Sequence, residues 1–392
     1  MAFKKFNNIY LVSGLFNVTD SMLFTTYFLY LTNELHLSFA MVALLDLPLF
    51  ITQFLLELPS GFFADRFGHK KAVVIGTVAL CIAPFIFSIT TSYSLLFMTG
   101  IFYGIGFAFI SGAFDALAYD TFKSDIKSFL TIKHLMKNIS NILVPIITIW
   151  LSQMLGLRIF YFFDFSFKLI ILVILIFGIK DFGRIHEVNK YSLDFIRAGW
   201  TSVLNQLRRS KAIVHQVNAQ FLWGITATAV DMFWIKLIEL SAGQNNIGFV
   251  FAAASIVGIV GNFIAYKLKI VKTAFWLSFL IHTIFVIFAG VFIGSTFAVI
   301  CILGRSFFIN IYEVLSQIIT NKIIRSDRAS MFSFFSFVSG VGKIISILSV
   351  GFIADRFGVG SVWILAGLIL LVITWQLYLV QKNIDESSME KS

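Results

Sequence analysis

The side chains able to do chemistry stand out because most of what surrounds them is apolar. Asp20, Asp115, Asp164, Lys168, Asp231, Lys236, Arg305, Glu313 and Lys343 all lie inside long apolar runs. Such groups can hold a proton, pair with a charge on a ligand, or pair with one another. Asp164 and Lys168 are four residues apart, so on a helix they share a face and can neutralise each other. Burial in a low-dielectric site favours the neutral form of a carboxyl group, which suits a residue that must load and release a proton. Asp20 or Asp231 is expected to carry a coupling proton or to pair with a cationic ligand. Arg305 offers a fixed positive charge, and Glu313, two helical turns further on, is its expected partner.

The elements that must position these groups follow from composition. The chain has 392 residues, of which 58% are hydrophobic and only 13% charged, with a mean hydropathy of +0.91. Soluble domains run at about 45–50% apolar and 25% charged, so one water-facing fold cannot hide this much apolar surface. A helix crossing a bilayer needs roughly 20 mainly apolar residues. Runs of that kind fall near 9–33, 40–63, 72–90, 93–119, 130–154, 158–179, 212–238, 247–268, 273–294, 296–321, 329–353 and 361–381. The fold class expected is therefore an all-α membrane protein with twelve transmembrane helices. Barrel strands are disfavoured because they alternate apolar and polar, whereas these runs are continuous. The basic start "MAFKKFNNIY" leads into a run too long for a signal peptide and interrupted by Asp20, so it reads as an uncleaved first span.

A net charge of +10 would suit nucleic acid as a partner, but the placement of the charge does not. With the N-terminus inside, most Lys and Arg fall at inner ends and loops, while the outer ends hold Arg158 and Arg356. This positive-inside bias puts both termini in the cytoplasm. The bilayer and a small-molecule substrate are the expected partners, and the chain is expected to act as a monomer in the cell membrane.

Shifting the sequence by about 200 residues brings parts of it into register. "GFFADRFGHKKAV" at 61 falls on "GNFIAYKLKIVKT" at 261, and "NVTDSM" at 17 on "TAVDMF" at 228, which pairs Asp20 with Asp231. Two pseudo-symmetric six-helix bundles are expected, at 1–179 and 212–392, joined by a cytoplasmic linker at 180–211. In that linker Leu193, Ile196, Trp200, Val203 and Leu207 recur at helical spacing among arginines, the pattern of an amphipathic helix lying on the membrane.

One phrase occurs twice, as "GFFADRFGHKK" at 61–71 and "GFIADRFG" at 351–358. Only the copy on the inner side keeps its lysines. Two six-span halves, a middle loop and Gly61, Asp65, Arg66, Gly68, Lys70 and Lys71 after span 2 resemble the major facilitator superfamily of secondary transporters. "ELPSG" at 57–61, "SGAFDALAYD" at 111–120 and "RASMFS" at 328–333 resemble a bacterial drug-efflux subgroup. The resemblance implies alternating access between the halves. It implies a cytoplasmic latch in which Arg66 and the lysines bridge carboxylates such as Asp120 or Asp125, and a central cavity lined by spans 1 and 7. Gly61 is expected to let a neighbouring helix come close. Two departures from the antiporter pattern stand out. Gly100 occupies the place of an arginine that many proton-driven relatives carry, and Pro145 lacks the preceding glycine.

Phe16, Phe24, Phe28, Phe107, Trp223, Trp234 and Phe307 are candidates to line an apolar substrate cavity, drawn from a chain that is 17% aromatic. No phosphate-binding G-x-x-x-x-G-K-[ST] loop is present, nor a nucleophile–base constellation, so an ATP-driven pump or a membrane enzyme is not expected. Cys81 and Cys301 and the scattered histidines form no metal or disulfide pattern. No cofactor is expected, and a proton gradient is the expected energy source. The leading expectation is proton-coupled efflux of small amphipathic or cationic compounds. The alternatives are a proton-coupled importer or uniporter of a sugar or organic acid, and a lipid flippase or non-transporting sensor.

Overall fold

In hydrocarbon every backbone N–H and C=O must find a partner within the chain, and a helix does so within one segment. The structure, a computed structural model, describes residues 8–180, 201, 203–268, 271–324 and 328–389, and among these there is no strand. Helix α1 spans Asn8–Leu29 and winds on as a π-turn over Tyr30–Glu34. It is followed by α2 Phe39–Leu45, α3 Leu47–Phe67, α4 His69–Ile89, α5 Tyr93–Ile110 and α6 Ala113–Phe122. Then come α7 Ile126–Leu155 and α8 Ile159–Val173, the latter extended by a π-turn over Ile174–Gly178. The second half holds α9 Lys211–Ala242, α10 Ile247–Lys267, α11 Val271–Val291, α12 Thr296–Ile323, α13 Arg328–Phe357 and α14 Val359–Met389.

Eleven helical stretches among the described residues are long and apolar enough to cross a membrane, so the protein is a multi-pass membrane protein. Helix α1, the twelfth expected span, is not among them. Its 22 residues reach about 33 Å at 1.5 Å each, but Asn17, Thr19, Asp20, Ser21, Thr25 and Thr26 dilute its apolar character. Several of these groups satisfy themselves on the helix. Thr25 Oγ1 donates to the Ser21 carbonyl at 2.8 Å and Thr26 Oγ1 to the Met22 carbonyl at 3.0 Å. The polarity of α1 is thus compatible with a span that borders an aqueous space rather than lipid alone.

The chain divides into two compact units, one taking the described residues before 188 with Ile247–Ala252, the other those of 189–246 and 253–392. In the first, α1 packs on α7 and α8, while α4 packs on α5 and α8. In the second, α9 packs on α13 and α14, while α11 packs on α12 and α14. The same order of contacts therefore recurs in both units, as expected of a duplicated chain. Of the proposed linker helix, Leu193, Ile196 and Trp200 lie outside the described residues; helix is present at Thr201 and over 203–209.

The doubled phrase proves to be a helix stop. Gly68 and Gly358 have φ of 103° and 83°, a region that favours glycine, and each ends one helix and starts the next within a single residue. Gly68 N donates to Ala64 O at 2.9 Å, and Gly358 N to Ala354 O at 2.9 Å. Arg66 sits over the Phe67 ring at 5.4 Å, and Arg356 over the Phe357 ring at 5.6 Å. What the two copies share is a turn; the lysines are an addition to it.

Small residues bring helix backbones into contact elsewhere. A Cβ on Gly224 of α9 would lie 2.1 Å from the Ser339 carbonyl of α13, and one on Gly342 would lie 2.3 Å from the Phe221 carbonyl. Neither backbone can yield without parting the helices. Gly224→Val is expected to cost several kcal/mol, at or above the ~1–3 kcal/mol of ordinary overpacking. It would appear as loss of the monodisperse peak in size-exclusion chromatography of detergent-solubilised protein. Gly61→Ala is the contrasting case. A Cβ there meets nothing within 4 Å, so yield and melting temperature are expected to hold. The close approach anticipated at Gly61 is instead made at positions such as Gly76, Gly104 and Gly106, because Gly61 lies on an exposed face of α3.

Candidate functional site

The end of the first unit that carries residues 61–71 is organised differently from the latch expected there. His69 Nδ1 lies 2.7 Å from Asp120 Oδ2, and His69 Nε2 lies 3.9 Å from Asp65. Lys70 Nζ donates to the Ile176 carbonyl at 2.9 Å and the Ile179 carbonyl at 2.7 Å. Lys70 therefore caps the last turn of α8, where free carbonyls and the helix dipole favour a cation, instead of bridging a carboxylate. Arg66 and Lys71 are exposed. Asp115, considered as a proton carrier, sits on α6 beyond the break at Ser111–Gly112 and forms a salt bridge with Lys133 of α7. That pairing makes it a tie between α6 and α7.

Deeper in the same unit lies a buried charge cluster. Lys168 Nζ donates to Asp164 Oδ2 at 2.7 Å, and the two side chains are 2% and 0% exposed. Lys168 Nζ also lies 5.6 Å from the centre of the Tyr103 ring on α5. Asp20, on α1, is exposed and lies in the electrostatic fields of Lys168 and Lys137. The neighbouring Ser21 Oγ reaches the Ser140 carbonyl of α7 at 3.4 Å, which sets this turn of α1 against α7. Asp46 accepts a hydrogen bond from Tyr27 Oη at 2.8 Å, at the break between α2 and α3 where Pro48 follows.

Gly100 is explained by that break. A Cβ there would lie 3.0 Å from Leu49 N and 3.1 Å from Leu45 O. An arginine at this position has no room, because the α2–α3 junction rests directly on it.

The second unit carries its own pair. Arg305 of α12 donates from Nη2 to Asp231 Oδ1 of α9 at 3.4 Å, the side chains being 12% and 62% exposed. The guanidinium lies 5.6 Å from the centre of the Trp363 ring, and its Nε has no hydrogen-bond partner. His282 Nδ1 approaches the Arg305 carbonyl at 3.3 Å. Lys343 adds a positive field at Asp231, and Glu313 a negative one at Arg305. An exposed carboxylate midway along a membrane helix is costly against lipid, and such groups face water-lined space or a partner. Asp20 and Asp231, matched by the repeat, both have that character. Asp231 is paired with Arg305 of the neighbouring α12, whereas Asp20 lies in the fields of Lys168 and Lys137.

The aromatic candidates divide. Phe24 is 46% exposed and Phe107 36%, while Phe16, Trp223 and Phe307 are half-buried. Phe28 and Trp234 are buried, at 4% and 8%. Phe28 stacks on Phe39 of α2 with ring centres 6.1 Å apart, so its face is used up in helix packing. Sequence reasoning passed over Tyr27, Tyr103, Trp363 and His69 as site residues. Only His69 had a local signal, its four-residue spacing from Asp65; the others act across helices far apart in sequence.

This architecture matches known proteins. The Major Facilitator Superfamily profile matches residues 9–324, and the chain belongs to that superfamily. It is a transporter and not an enzyme, working in a lipid bilayer on a small-molecule substrate. The uncharacterized MFS-type transporter YxaM of Bacillus subtilis (strain 168) is 20% identical over 370 residues, covering 90% of each chain. Multidrug resistance protein 1 of the same organism is 35% identical over 88 residues, which is 22% of this chain and 23% of that protein. Among solved structures, a mutant form of the nucleoside transporter NupG superposes with a TM-score of 0.79 at 14% identity, covering 95% of this chain and 98% of the other. At that identity the likeness is one of fold.

Proposed function

We propose that the protein is a proton-coupled exporter of small amphipathic or cationic compounds that works by alternating access. The observation carrying this reading is the matched pair of exposed, mid-helix carboxylates, Asp20 and Asp231, the second of them paired with Arg305 of its own unit. A carboxylate in that setting can hold a proton or a cationic ligand but not both well, which couples the loading of one to the release of the other. Exposed Phe24 and Phe107 supply apolar surface for the body of such a ligand. The segment similar to Multidrug resistance protein 1 supports the export direction. In this reading both termini are cytoplasmic, the membrane is the cell membrane, the chain works as a monomer, and the proton gradient is the only energy source.

The experiment uses purified protein in liposomes with a fluorescent lipophilic cation. A proton gradient is imposed so that protons and dye move in opposite directions. Dye movement that begins with the gradient and stops on adding a protonophore is expected. Movement indifferent to the gradient removes the coupling, and dye and protons moving the same way removes export.

One observation favours a second reading. The unpartnered Nε of Arg305 beside Trp363 offers a donor to an anion, which suits import of an organic acid. Uptake of a labelled carboxylate driven by acid on the same side would select it.

A further inference from the structure

Where α4 leaves the Gly68 turn, a basic edge meets an apolar groove. Helix α4 is one of the stretches able to cross a membrane, and after Lys71 it carries no charged residue as far as Ile89. Lys71 therefore marks the depth at which this helix passes from the polar boundary into hydrocarbon. It is exposed, and the exposed apolar residues Ile75, Val78, Phe85 and Ile89 follow it at spacings of four, three, seven and four. Those spacings keep to one face of a helix. In a bilayer an exposed apolar face of this kind is covered by acyl chains, which are as apolar as the side chains themselves.

A cleft of about 280 Å³ shares Lys71 and Ile75 with that face. It is bounded by Phe63 of α3 and by Lys70, Lys71, Val74 and Ile75 of α4. Val74 and Ile75 lie roughly 5–7 Å further along the helix axis than the two lysines, at 1.5 Å per residue. The cleft is thus cationic at its rim and apolar below it. Neither Lys71 nor Arg66, two residues before the turn, has an ion-pair or hydrogen-bond partner among the described residues. Lys70 spends two ammonium donors on the Ile176 and Ile179 carbonyls and keeps a third. The nearby carboxylate of Asp120 is taken by His69.

We propose that this cleft binds a phospholipid with a net negative headgroup. Its phosphate is held at Lys71 and the remaining donor of Lys70, within the field of Arg66, and one acyl chain lies in the groove against Phe63, Val74 and Ile75. Charge and depth together select this occupant. A soluble anion would meet the cations and leave the groove to other molecules. A zwitterionic lipid would fill the groove but bring its own ammonium to a rim that is already positive. A lipid bearing net negative charge answers both, since unpaired basic side chains at the membrane boundary attract such headgroups.

The test needs no transport substrate and does not depend on the direction or coupling of transport. Full-length protein purified in detergent and stripped of lipid is titrated with phosphatidylglycerol, and bound lipid is counted by native mass spectrometry. Phosphatidylcholine with the same chains is expected to bind at least about tenfold more weakly, because each basic group near a headgroup contributes about fivefold towards an anionic lipid. Lys71→Gln is expected to weaken phosphatidylglycerol about fivefold, and Lys71→Gln with Arg66→Gln about 25-fold. Both side chains are exposed, so folding is expected to hold. Lys267→Gln, which removes an exposed cation at the end of α10, is expected to keep the parent affinity. Inorganic phosphate at the same concentrations is expected not to displace the lipid. Equal binding of the two lipids, or parent affinity in Lys71→Gln, overturns the proposal. So does an equal loss in Lys267→Gln, which would make the attraction one of overall charge, or displacement by inorganic phosphate, which would make the rim a site for free anions.

Discussion

Replacing Arg305 with methionine is expected to lower transport on the order of 100-fold while leaving folded protein in the membrane. Methionine keeps the length and apolar stem of the side chain, so packing against Trp363 is largely preserved. What is lost is the cation 3.4 Å from Asp231 and 5.6 Å from the Trp363 ring. Truncating one member of a buried, hydrogen-bonded charge pair costs about 2–5 kcal/mol. Asp231 is 62% exposed, so solvent screening argues for the lower part of that range. At ~1.4 kcal/mol per factor of ten, roughly 2–3 kcal/mol corresponds to the stated loss. Arg305→Lys keeps the charge but neither the planar fork nor the stacking, and a smaller loss, about tenfold, is expected. Initial rates of gradient-driven dye movement in liposomes, normalised to folded protein, measure both. Rates of Arg305→Met within threefold of the parent would remove this pair from the mechanism.

Asp20→Asn is expected to uncouple transport from the proton gradient. The two side chains have the same shape and the residue is exposed, so folding should be kept. The amide cannot load a proton, so acidification on the proton-donating side no longer speeds transport. Gradient-driven rates are expected to fall at least tenfold, to the level seen without a gradient, while exchange of labelled for unlabelled dye continues. The sign matters, since a carrier carboxyl is loaded where pH is low and emptied where it is high. The variant must lose the response to the gradient rather than simply run slower at every pH. Unchanged pH dependence at normal protein levels would exclude Asp20 as the carrier.

The two positions also show how far sequence reasoning reached. Asp20 and Asp231 were visible as acidic residues within apolar runs and as partners under the repeat. Arg305 was visible as an isolated cation, but its partner was expected to be Glu313, two turns along the same helix. The carboxylate its guanidinium hydrogen-bonds is Asp231, 74 positions away on α9. Glu313 still contributes to the field at Arg305. The Asp164–Lys168 pair was legible because its two members are four residues apart on one helix, and the structure pairs them at 2.7 Å. His69 illustrates the opposite case. Family resemblance directed attention to Arg66 and the lysines, whereas the contact to Asp120 is made by the histidine between them.

Helix existence and membrane residence were written in the sequence because each depends on local composition summed over about 20 residues, and internal duplication because the chain can be compared with itself. A run that apolar has one stable state in a bilayer, whatever its neighbours do. The "ADRFG" turn is local in the same sense, with glycine at the one residue whose φ requires it. Side-chain fate was decided by the tertiary structure. Phe24 and Phe28 are one helical turn apart on α1, yet one is 46% exposed and the other 4%. Phe28 stacks on Phe39 of α2, a contact that Phe24 does not make. Gly100 has no arginine because a helix break 50 residues earlier occupies the space. Which groups are buried, and which charge each one meets, depends on how helices distant in sequence are packed together.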